Sequence, residues 1–70
     1  MTNRKMKVGE TLSQRGLALR SSYHVSTIRR RGERFKVFVN GERVAWRETW
    51  ERWRMHSGRA HGYRLVEVEA

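Results

Sequence analysis

The strongest constraint in this 70-residue sequence is the dipeptide Asn40-Gly41, set between two runs of alternating character. Phe35, Val37 and Val39 recur at period two in "RFKVFV", the pattern of a half-buried strand. "ERVAW" follows, and Asn-Gly between two such runs favours a type I′ turn, whose central residues both take positive φ. A tight turn there sets Val39 opposite Glu42, Val37 opposite Val44 and Phe35 opposite Trp46. The preceding "YHVSTIRR", residues 23–30, is aromatic and β-branched without Gly or Pro, which predicts a strand. Its hairpin turns near Arg31-Gly32 and pairs Ile28 with Phe35 and Arg29 with Arg34.

The two hairpins agree on the faces of the sheet. One face collects Ile28, Phe35, Val37, Val39, Val44 and Trp46. The other collects Arg29, Arg34, Lys36 and Arg43, with Thr27, Val25, Phe38 and Ala45 among them. A slip of one residue would drive the charges into the core, so the register is specified by burial.

After the hairpins, "WRETWERWRMHSG" places Trp46, Trp50 and Trp53 at i, i+4 and i+7, one apolar stripe of a helix that ends at Gly58. Arg47 with Glu51 and Glu48 with Arg52 make i,i+4 pairs on its outer faces. "YRLVEVEA" reads as a last strand, lying parallel to the third strand and beside the first by the right-handed crossover rule. Residues 1–20 form an arm that admits an extra strand or a helix. Leu12 and Leu19 share a helical face that Gly16 weakens, whereas Leu17 and Leu19 suit the start of a strand. The expectation is one small α+β domain over residues 1–70. It has a three- to four-stranded, mainly antiparallel sheet on one helix of the C-terminal half, in βββαβ order, with its core in residues 23–69.

The net charge of +9 favours polyanions. It is concentrated in residues 1–36, which hold ten Lys/Arg and two Glu, against six Arg and five Glu in residues 37–70. Thirteen of the sixteen basic residues are Arg, whose planar fork suits bidentate phosphate and base contacts. The chain has no Cys, so disulfides, thiol catalysis and Cys-based zinc sites are excluded. His24, His56 and His61 lack metal-ligand spacing, and no Ser lies in a nucleophile elbow. No cofactor, metal or catalytic role is expected. The polar start carries no export signal, and no segment approaches the roughly 20 apolar residues of a membrane span, so a soluble cytoplasmic protein without membrane attachment is expected.

These features predict a nucleic-acid-binding protein, with DNA favoured over RNA. The candidate contacts are Arg29, Arg34, Lys36, Phe38 and Arg43 on the basic sheet face and Arg30 and Arg31 at the hairpin tip. Phe38 would stack on a base or fill a partner pocket, unless the N-terminal segment folds over it. The layout of residues 23–57, three strands backed by a helix, is similar to that of plant AP2-type and integrase arm-type DNA-binding domains. That likeness implies a sheet laid in a major groove. The alternative is a phage- or mobile-element-type inhibitor that docks on a host protein complex through the same Arg and Phe surface.

Overall fold

The computed structural model describes residues 3–54 and 61–69. Six elements follow in chain order: β1 (Thr11–Ser13), α1 (Gln14–Ser21), α2 (Val25–Arg30), β2 (Arg34–Asn40), β3 (Ala45–Arg54) and β4 (His61–Glu69). The four strands make one sheet in the order β1-β4-β3-β2, with every neighbouring pair antiparallel. Among the described residues the architecture is therefore α+β, with two helices against one open sheet.

The expected β2 forms as read. Phe35, Val37 and Val39 are buried, and Arg34, Lys36 and Phe38 are exposed. The Asn40-Gly41 turn is wider than the dipeptide suggests. Gly41 to Val44 form a four-residue loop closed by the Gly41 N–H on the Val44 carbonyl at 2.9 Å. Val39 lies opposite Trp46 where the tight turn would have put Glu42, a displacement of four residues. An even displacement keeps every β2 side chain on its expected face. Three positions change: Glu42, Arg43 and Val44 sit in the loop, and Val44 is exposed to solvent.

The main corrections are a strand that is a helix and a helix that is a strand. Residues 25–30 form α2, so neither Arg29 nor Ile28 belongs to the sheet. The His24 side chain accepts the Ser26 N–H and caps the helix, and Ile28 is its one fully buried residue. Capping and tertiary packing override the β-propensity of Val25, Thr27 and Ile28. Residues 45–54 form β3, and residues 55–57 of the expected helix lie outside the described residues. Trp46 and Trp50 are separated by four, which satisfies a helical period and a strand period equally. Glu48 decides between them: it sits midway on the core-facing side, fully buried.

The last segment, β4, is a strand as expected, but it runs antiparallel to β3 and pairs with β1 on its other side. Its Val66 is an extra residue between the pairs Thr49–Glu67 and Trp50–Leu65. With β3 a strand, the three-stranded unit backed by a helix no longer exists over residues 23–57, and the architectural likeness drawn from it lapses.

The core lies between α1, α2 and the inner face of the sheet. It contains Leu17, Ala18, Ile28, Phe35, Val37, Val39, Trp46, Trp50, Tyr63 and Leu65. The Phe35 and Tyr63 rings meet edge to face at 5.5 Å. Leu19, by contrast, points to solvent. Gly41 is required by close approach, since a Cβ there would overlap the Trp46 ring and come within 2.8 Å of the Val44 carbonyl.

Candidate nucleic-acid interface

The outer sheet face and the helix side are both charged, and they differ in kind. The outer sheet face presents Arg34, Lys36 and Phe38 on β2, Arg47, Glu51 and Trp53 on β3, and Arg64, Glu67 and Glu69 on β4. Four basic and three acidic side chains leave it a net of +1. Most of these charges are paired. Arg34 bonds Glu51 at 3.3 Å, Lys36 bonds Glu69 at 3.5 Å, and Arg64 also holds Glu51. Hydrogen bonds from Arg64 and then Arg34 hold the Glu51 carboxyl below its usual range against the opposing effect of desolvation. Arg47 stacks over Phe38 at 5.0 Å, and Arg64 over Trp53 at 4.1 Å.

The second surface lies on the helix side, where the end of α2 meets the far end of β3. Arg29 and Arg30 close α2, and Arg31 is its C-cap. Arg52 donates from Nη2 to the Arg29 carbonyl at 3.5 Å, and its backbone N–H bonds the Glu33 carbonyl at 2.7 Å. Arg54 follows on the same strand parity as Arg52. All five arginines are exposed, and Glu33 is the one acid within residues 29–34 and 52–54. Arg31 lies over the Tyr23 ring at 4.8 Å, which fixes the turn before α2 against its end.

The seven residues expected to bind nucleic acid are thus divided among three places. Arg29, Arg30 and Arg31 stand on the helix side. Arg34, Lys36 and Phe38 share the outer sheet face, with Phe38 55% exposed and uncovered by the N-terminal arm. Arg43 is in the loop between β2 and β3. Arg29 opposite Arg34 on one face is corrected, because a helix carries the first and a strand the second. Arg52 and Arg54 reach the helix side because residues 45–54 are a strand, whereas a helical reading of residues 46–57 leaves them on a charge-balanced outer face.

The arm runs past the opposite end of the sheet. Asn3 donates its backbone N–H to the Asn40 carbonyl, the Arg4 carbonyl accepts from Arg20 at 2.8 Å, and Lys5 lies over the Trp46 ring. Among the described residues no cluster of three metal-ligating side chains occurs, and no helix is long and apolar enough to cross a membrane. A scan against family models, a search of curated proteins and a search of solved structures each found no match to this chain.

Proposed function

We propose that this chain is a small, non-catalytic nucleic-acid-binding protein that grips DNA, in preference to RNA, with its helix side. The observation that carries this reading is the meeting of Arg29, Arg30, Arg31, Arg52 and Arg54 at one end of the fold. Unlike the outer sheet face, this surface has little acid to compensate it, so its field attracts phosphate. Arginine adds bidentate geometry to that attraction. Arg34, Lys36 and Arg43 then contribute general charge, and the sheet face is not the main contact.

The test is a fluorescence-anisotropy titration of duplex DNA, single-stranded DNA and RNA at two salt concentrations. Binding that weakens steeply with salt is expected, as counterion release requires. Arg29→Glu with Arg30→Glu should abolish it, whereas Arg34→Glu with Lys36→Glu should reduce it only modestly. Loss confined to the second pair would return the interface to the sheet.

A second reading rests on Phe38, exposed among Arg34, Lys36 and Arg47, as a docking point for a partner protein. Tight binding to one protein that resists salt, with no binding to any nucleic acid, would select it.

A further inference from the structure

The two helices are locked into one rigid corner. A turn of three residues, Ser22, Tyr23 and His24, joins them. Ser22 takes the left-handed conformation at φ 62°, its N–H bonds the Ala18 carbonyl, and the Tyr23 N–H reaches the same carbonyl at 3.1 Å. At the open side of the corner, Gln14 Nε2 donates to the Val25 carbonyl at 3.4 Å, tying the start of α1 to the start of α2. Ile28 anchors α2 in the core beside Leu17, both fully buried. The three-residue connection has the length that helix–turn–helix units use.

The face of α2 that Ile28 leaves free is chemically uniform. At 3.6 residues per turn, Ser26, Thr27, Arg29 and Arg30 lie within about 80° of the direction opposite Ile28. All four carry hydrogen-bond donors on side chains long or small enough to approach a base edge. Six residues make a cylinder about 9 Å long and about 10–12 Å across. A B-DNA major groove is about 12 Å wide and about 8.5 Å deep, and admits it. The major groove of an A-form RNA helix is too deep and narrow to do so.

We infer that α2 lies in the major groove of duplex DNA and reads sequence there. Arg29 and Arg30 face base edges, with guanine the favoured partner of each guanidinium, and Ser26 lies beside them. Arg31, Arg52 and Arg54 flank α2 and hold the adjoining phosphates, setting its register without reading bases. The inference rests on the nucleic-acid reading above and adds the polymer, the groove and the residues that discriminate.

Selection from a random duplex library, followed by competition of the selected site against a scrambled duplex, tests it. The native chain should enrich a short motif containing guanine. Arg29→Ala and Arg30→Ala should each weaken the selected site roughly ten- to hundred-fold and the scrambled duplex far less. Arg29→Lys keeps the charge and should lose the preference while retaining general binding. Arg52→Ala should weaken both duplexes alike and lower the salt slope by about one. Circular dichroism of each variant establishes that it is folded. Salt-dependent binding with no enriched motif, or a uniform loss in Arg29→Ala and Arg30→Ala, overturns sequence reading by α2 and leaves the nucleic-acid function standing. Preference for A-form RNA or single strands overturns the groove assignment. No binding to any nucleic acid at low salt overturns the function itself.

Discussion

Arg20 and Glu48 form a two-pronged ion pair inside the core, Nε to Oε1 at 2.9 Å and Nη2 to Oε2 at 2.7 Å. The carboxylate also accepts the indole N–H of Trp46 at 2.8 Å and of Trp50 at 3.1 Å. One buried acid therefore satisfies four donors from α1 and β3 and ties the helix layer to the sheet. Burial alone would raise the Glu48 carboxyl above its usual value near 4.5. Hydrogen bonds from Arg20, Trp46 and Trp50, with the Arg20 charge, outweigh this and hold it lower.

The linkage has a definite sign. A carboxyl whose folded pKa lies below its unfolded one stabilises the fold fully above the unfolded value, near pH 4.5, and loses that contribution as pH falls through the folded value. Thermal unfolding followed from pH 7 to pH 2 should show the melting temperature falling below about pH 4.5. Glu48→Gln should flatten this acid limb. An unchanged acid limb in that variant would separate Glu48 from the effect.

Removing one partner of this pair should be costly, because the other charge stays buried. Glu48→Leu strands Arg20 and two indole donors, and should lose about 3–5 kcal/mol by chemical denaturation, enough to unfold most of the protein. Arg20→Met leaves the two indole bonds in place and should cost less. The reverse order would mean that Arg20, through its bond to the Arg4 carbonyl, is the more important member.

The three tryptophans should behave unequally. Trp50 is fully buried, and Trp50→Ala should cost about 3–5 kcal/mol. Trp53 is 39% exposed on the outer sheet face, and Trp53→Ala should cost far less. Equal losses in a denaturant series would contradict the strand parity that separates them.

That parity also explains what the sequence conceals. The alternation in β2 and the identity of its exposed side chains are legible, because one face is apolar at every second residue. Core membership of Trp46 and Trp50 is legible too, since either period buries both. Their secondary structure is not. A strand requires Glu48 in the core, and local pattern gives no warning that Arg20, 28 residues away, will meet it there. Likewise "YHVSTIRR" favours a strand by propensity, whereas its helix depends on the His24 cap and on the burial of Ile28 in the core. The positive charge of residues 29–31 is readable from the charge run. Its location is not, because Arg29 through Arg31 lie on a helix, and the acids of β4 neutralise the sheet face.

Ser22 holds the left-handed conformation at a helix C-terminus, where an L side chain is strained. Ser22→Gly should raise stability by about 1 kcal/mol, and Ser22→Val should lower it. Melting curves check both. A destabilised Ser22→Gly would mean that its hydroxyl holds something the turn needs.

Gly41→Ala should be destabilising, because the added methyl meets the Trp46 ring and the Val44 carbonyl. Trp46 fluorescence should change with the loss. Native stability in this variant would show that the loop between β2 and β3 is free to move away.

On the proposed function, the helix side, and not the outer sheet face, holds the nucleic acid. Backbone amide shifts in a titration with duplex DNA test it most directly. The largest shifts are expected in residues 25–31 and 52–54, with Lys36, Phe38 and Glu67 little changed. Shifts confined to Arg34, Lys36, Phe38 and Arg47, with α2 silent, would contradict it.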